Sequence, residues 1–305
     1  MSAKTKYELR GVVVSLNTPF DEDDHLDLLS VERAVSVHLA EGALGFLTPA
    51  HAGEVHALRL EERLALIRHV RELTRGRALV FACATSQDHS ERVAVAEAAL
   101  QGGCDGVLVE PPPELGNRRE PLLAWFREFA RIGMPLLIIQ DLDWQGWGLE
   151  VDLIRELFEQ IEAFRCLKVE TRPAGPKYSA VIAATAGRLH VSGGWAAEQM
   201  IEALDRGVDA VMSTAMTAWY RGIFQAYDRG DRARARSCFR KILPVLAFTH
   251  QHLDISIHFY KRLFVHRGIF RTARARAPKM AYDAWHENCG RELIRYLDAL
   301  EGLQP

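Results

Sequence analysis

Eight short apolar runs alternate with longer segments whose apolar residues recur at helical spacing. The runs are Gly11–Thr18, Ala43–Pro49, Ala78–Ala84, Gly106–Pro111, Pro135–Asp141, Phe164–Glu170, Arg188–Gly194 and Asp209–Met216. Most lack strict apolar–polar alternation and favour Val, Leu, Ile and Phe, the pattern of strands covered on both faces. Between them, Leu60–Arg68 and the alanine- and glutamate-rich Ser90–Leu100 carry helical spacing, with Ser90 the expected N-cap of the latter. Glycine stands where helices should stop, as at Gly42 and Gly207, because a left-handed residue ends a helix there at little steric cost. Eight β-then-α units in regular order predict a (β/α)8 barrel over residues 1–225. A C-terminal helical extension over 226–305 is expected to pack on it, as helices Asp231–His250, His252–Arg267 and Lys279–Leu300. A doubly wound open sheet is the alternative. Its first strand usually runs into a glycine-rich phosphate turn, whereas here it runs into Asn17-Thr18-Pro19-Phe20.

Composition narrows the class without naming a function. Across 305 residues, 48% are apolar and 26% charged, as in ordinary globular proteins. A formal net charge of −2 gives no electrostatic case for nucleic acid or a membrane surface. The start, Met1 to Glu8, lacks the apolar core of a signal peptide, and no apolar stretch is long enough to span a bilayer, so the cytoplasm is the expected location. Five dispersed cysteines without a CxxC argue against a disulfide framework or a zinc knuckle. His250, His252, His258 and His266 suggest a metal, but the first two diverge on a helix, so neither metal nor other cofactor is expected. The arginine clusters Arg232–Arg240 and Arg267–Arg276 read as solvated faces or an interface rather than an RNA site.

Candidate chemistry begins with the lysines. Only seven of the 38 basic residues are lysine, and one of them, Lys168, lies near the end of an apolar strand. An amine partly withdrawn from water holds its proton less tightly and attacks carbonyl carbon to form an imine. The alternative is a buried ion pair with Glu170 or Glu110. In a barrel of this kind, reactive groups sit where strands end and the following loops begin. Those ends hold Thr18-Pro19-Phe20, Pro49 to Glu54, Cys83–Ser86, Glu110–Pro113, Gln140-Asp141, Lys168–Glu170, Ser192–Gly194 and Ser213–Ala215. Lys168 is the only lysine among them, which favours the imine.

The ordered set of Thr18-Pro19-Phe20, a Gly53-Glu54 turn after the second strand, a lysine closing the sixth and Gly193-Gly194 after the seventh carries a resemblance. It resembles the dihydrodipicolinate synthase / N-acetylneuraminate lyase family of Schiff-base aldolases over nearly the whole chain. The resemblance implies that Lys168 condenses with pyruvate or a related 2-keto acid, without a cofactor, in a homo-oligomer (dimer or tetramer). It also implies that Gly193-Gly194 leaves room for substrate beside the lysine. Met212 and Trp144 are further candidate substrate contacts, and the backbone N–H groups of Ala52 and Gly53 would receive the keto-acid carboxylate.

The departures set this chain apart from the synthase itself. The family's Gly-Thr-Thr-Gly-Glu loop stands as Ala50-His51-Ala52-Gly53-Glu54, without its two hydroxyls. The tyrosine that closes the fifth strand aligns with Ile139, a second, interface-crossing tyrosine with Pro111–Pro113, and a substrate-binding arginine with a position near Trp144. Imine chemistry still needs an acid–base group. His51, in the place of the first threonine, leads, against a reading in which it only fills space. Asp141 is the next catalytic candidate, and Glu110 accompanies it, unless they simply neutralise Lys168 or His51. Trp144 and Trp147 form either an apolar wall for substrate or a packing plug. The expected function is a class I, metal-independent carbon–carbon or hydro-lyase. The alternative is a barrel of the same family that binds a keto acid without turnover. A phosphate-binding barrel would want a basic residue near Gly193-Gly194, where Trp195 follows instead.

Overall fold

The computed structural model describes residues 6–194, 197–276 and 278–300, so Trp195 lies outside the described residues. Eight parallel strands close into a barrel in chain order. They are β1 (Gly11–Ser15), β2 (Gly45–Thr48), β3 (Leu79–Cys83), β4 (Gly106–Val109), β5 (Leu137–Asp143), β6 (Phe164–Thr171), β7 (His190–Gly193) and β8 (Ala210–Ser213). Each apolar run thus carries one strand. The helices that follow them are α1 (Leu28–Ala40), α2 (Leu60–Thr74), α3 (His89–Gln101), α4 (Arg119–Arg131), α5 (Val151–Gln160), α6 (Ala174–Ala184), α7 (Met200–Asp205) and α8 (Thr217–Asp228). The C-terminal helices are α9 (Arg232–Thr249), α10 (Leu253–His266) and α11 (Ala284–Leu300).

Two helix starts differ from the sequence expectation, both because an aspartate caps. Asp88, not Ser90, caps α3 by accepting the Ser90 N–H at 2.7 Å. The last helix begins at Ala284 rather than Lys279, where Asp283 accepts the N–H groups of Trp285 and His286 at 3.0 and 2.9 Å. Among the described residues no helix is long and apolar enough to cross a membrane.

By compactness the chain divides into two units, residues 1–11 with 79–212 and residues 12–78 with 213–305. In the first, Cys83 lies opposite Leu108, Leu108 opposite Ile138, Ile138 opposite Cys166, and Cys166 opposite His190. Opposed residues of parallel strands share a face, and side chains alternate with a period of two. Gln140, Lys168, Ser192 and Ala210 therefore share that face one step further along. Asp141 is on the other face, where it meets α6, so Lys168 points into the barrel interior. In the second unit, β1 pairs β2 with Val13 opposite Gly45 and Ser15 opposite Leu47, and α10 packs on the turn at His51–Gly53.

Candidate active site

Lys168 is buried near the C-terminal end of β6, with Nζ 3.2 Å from Glu170 Oε2. The two-residue period of the strand puts both side chains on one face. Gln140, opposite Lys168 on β5, donates its Nε2–H to the same Glu170 oxygen. Glu170 fits because Gly194 has no side chain: a Cβ there would collide with its carboxylate. A side chain at Gly194 would compete with Glu170 for the space beside Lys168. Gly193 itself lies opposite Val169, and Met212 is buried on β8.

Toward the start of β6 the interior is neutral. Cys166 Sγ is 3.1 Å from His190 Nδ1, and His190 Nε2 is 2.7 Å from Leu9 O. The carbonyl requires the proton on Nε2, leaving Nδ1 to accept from the thiol. Burial holds His190 below the ordinary imidazole range and pushes the Cys166 thiol up to about 12, so this pair is inert packing. Burial also pushes the Cys83 thiol up, in the field of Lys168, Glu110 and Glu170. Glu110 accepts a hydrogen bond from Thr85 Oγ1 at 2.9 Å.

Asp141 is not part of this group. Its Oδ2 is 3.0 Å from Lys177 Nζ of α6, and its Oδ1 accepts the Leu149 N–H at 2.8 Å. Lys177 also donates to Trp147 O at 2.6 Å and to Leu149 O, with the Trp147 ring centre 5.0 Å away. Burial raises the Asp141 pKa and lowers that of Lys177, each against the pull of the other. The pair fastens the loop after β5 to α6, and Trp147 packs over it. Trp144 is 37% exposed. Ile139, aligned above with the family's tyrosine, lies opposite Leu167 on the helix-covered face; the side chain beside Lys168 is the amide of Gln140.

The second unit holds the turn that carries His51. Asn17 Nδ2 donates to Ala52 O and Thr18 Oγ1 to Gly53 O, both at 2.6 Å. A Cβ on Gly53 would lie 2.7 Å from Leu16 O, so glycine is required. The Gly53 N–H donates to Ala50 O at 2.9 Å, which commits it to the turn. The His51 ring lies 5.1 Å from that of His56. Glu54 follows in a left-handed conformation (φ 59°) and pairs with Lys261 of α10, both side chains fully buried. Its Oε2 accepts the Arg276 N–H at 2.6 Å, and Lys261 donates to Arg274 O at 2.7 Å. Burial pushes the Lys261 ammonium down to about 8, against the pull of Glu54. Phe20 lies 4.4 Å from Lys261 Nζ and 4.0 Å from the Arg276 guanidinium, ring centre to cation. The C-terminal extension therefore holds both Thr18-Pro19-Phe20 and Gly53-Glu54. Sequence reading missed Lys177 and Lys261 as buried lysines, although the scarcity of lysine was a signal for all three.

The C-terminal histidines have separate tasks. His252 Nδ1 accepts the Asp254 N–H at 3.1 Å, His258 lies against Tyr282, and His266 pairs with Asp298 at 2.7 Å. Among the described residues no three His, Cys, Asp or Glu side chains are placed to share a metal ion.

Residues 8–294 match the model of the Dihydrodipicolinate synthetase family. The chain belongs to this family. Its members are lyases. The L-2-keto-3-deoxyarabonate dehydratase of Azospirillum brasilense is 27% identical over 288 residues, 91% of each chain. The crystal structure of dihydrodipicolinate synthase from Rhodopseudomonas palustris superposes with a TM-score of 0.87 at 20% identity, covering 98% of this chain and 99% of that one. YagE, a prophage protein of the same family from E. coli K12 in complex with pyruvate, gives 0.87 at 18% identity over 96% and 99%. At such identities the two structures establish the fold.

Proposed function

We propose that this dihydrodipicolinate synthetase family lyase forms an imine between Lys168 and the 2-keto group of a small 2-keto-3-deoxy acid, with Glu170 moving the proton. The reading is carried by the buried amine of Lys168 held 3.2 Å from a carboxylate that Gln140 orients. Glu170 takes the ammonium proton, and the free amine attacks C2. The resulting carbinolamine leaves its oxygen as water once Glu170 returns the proton. The iminium then draws electrons from C3, whose proton passes to Glu170 to give an enamine. The enamine pair expels the C4 hydroxyl, which leaves as water with the proton from Glu170. Hydrolysis of the imine frees Lys168.

Dehydration is favoured over aldol addition on two grounds. One carboxylate suffices to cycle a proton from C3 to the leaving hydroxyl, and no aldehyde acceptor has to be activated. The relative matched along 91% of its length is a dehydratase. Gln140 cannot ionise, so it serves by orienting Glu170 rather than by carrying a proton. His51, Ala52, Gly193, Met212 and Trp144 stay in the proposal as candidate substrate contacts, with His51 a second proton carrier.

The test is borohydride reduction in the presence of pyruvate or of a 2-keto-3-deoxypentonate, followed by intact mass and peptide mapping. The expected result is a reduced adduct on Lys168, and a dehydrated product when the borohydride is omitted. Absence of an adduct with any 2-keto acid sinks the imine. Trapping on Lys168 without turnover of the pentonate or related acids selects the keto-acid-binding barrel instead.

A further inference from the structure

The second unit contains a cavity of about 390 Å3 between α10, α11 and the connection that joins them. That size lies toward the lower end of small-molecule sites, roughly 300–1,000 Å3. Its wall is apolar at Val265, Ala273 and Ile294, and its rim is cationic, with Arg262, Arg291 and Arg295 against one carboxylate, Glu287. That carboxylate is already held by Arg262 Nε at 2.7 Å. His266, also on the lining, is held by Asp298. Arg291 reaches the neutral amide oxygen of Asn288 at 2.7 Å. Arg295, one helical turn on, has no ion-pair or hydrogen-bond partner among the described residues. Residues four apart share a helix face, so two guanidiniums stand together there without a carboxylate between them.

A hydrocarbon wall under a guanidinium rim selects an organic acid. Its carboxylate matches the planar donor fork of arginine, and its body displaces water from the apolar wall. Inorganic phosphate satisfies the rim alone. We propose that this cavity is a second ligand site, separate from Lys168, for a small carboxylic acid with an apolar body, and that its occupant braces residues 272–276. Ala273 is flanked by Thr272, whose hydroxyl donates to Phe20 O at 2.6 Å, and by Arg274, whose carbonyl accepts from Lys261. Arg276, two residues further, holds Glu54. Arg262 on the rim is the chain neighbour of Lys261. A ligand that bridges Ala273 and the α10–α11 face thus steadies the clamp on the His51 turn. The regulatory weight of that clamp rests on the role proposed for His51; the binding does not.

The test is calorimetric titration of the full chain with 3-phenylpropionate, propionate and inorganic phosphate, paired with hydrogen–deuterium exchange. The phenyl acid should bind more tightly than the other two, lose about ten-fold in affinity in Arg295→Glu, and slow exchange at residues 272–276. It has no 2-keto group, and its binding should persist in Lys168→Ala, so failure of the imine chemistry leaves this result intact. No binding, equal affinity for phosphate, unchanged affinity in Arg295→Glu, unchanged exchange at 272–276, or loss of binding in Lys168→Ala would each overturn the proposal.

Discussion

Among the described residues two buried lysine–glutamate pairs stand one in each compact unit, and they hold their ammonium groups differently. Lys261 is saturated: Glu54, the Arg274 carbonyl and the ring of Phe20 surround its ammonium, and both side chains of the pair are 0% exposed. Glu54 is equally engaged, since it also takes the Arg276 N–H. Lys168 has one carboxylate partner among the described residues, and its neighbours across the strands are Gln140 and Ser192. Its pair keeps a little exposure, 5% and 13%. Burial alone therefore does not mark a reactive lysine. In the function proposed above, Lys168 is set apart by an amine whose hydrogen-bonding capacity is left open.

The comparison breaks most sharply at Lys168. Replacing it with alanine should lower turnover by at least about 10^4-fold, read from steady-state rates, and abolish borohydride trapping. Glu170→Gln should lower kcat by about 10^2 to 10^4-fold while slow trapping on Lys168 persists. A Glu170→Gln enzyme with wild-type kcat would reduce this carboxylate to a counter-ion and erase the contrast. Lys261→Met should instead cost about 3–5 kcal/mol in urea unfolding, because it strands a buried Glu54, with the folded fraction losing far less activity. Gly194→Ala, which forces Glu170 aside, should cost about 10^2-fold in kcat with little change in stability.

The smallest effect is a pH dependence. Lys261 titrates at about 8 in the folded chain against 10.5 ordinarily. Between those values the unfolded chain binds the extra proton at this residue, so stability gains as pH rises. Urea midpoints of the wild type minus those of Lys261→Met should therefore grow between pH 8 and pH 10.5. A difference that stays flat with pH would mean that Lys261 keeps its ordinary affinity for the proton.

The barrel and the lysine buried inside it were legible in the sequence for physical reasons. Strands covered on both faces need unbroken apolar runs, so eight such runs with helices between them leave few other architectures. Lysine is scarce here, so one lysine near the end of an apolar strand stands out. Its neighbour on β5 was not legible, because that depends on single-residue register. The pairing of β5 with β6 shifts between Leu137 and Ile138, which face Phe164 and Cys166 and leave Arg165 as an extra residue. A one-residue slip moves every following side chain to the other face. Without the shift Asp141 would lie opposite Lys168; with it Gln140 does, and Asp141 lies opposite Val169 on the face that meets Lys177. The chain by itself determined that a lysine would stand in a barrel of parallel strands. The two-residue period of one strand already offered Glu170 as its carboxylate, with Glu110 as the alternative. Only the tertiary structure decided between them, because the missing side chain of Gly194 leaves Glu170 room beside the amine.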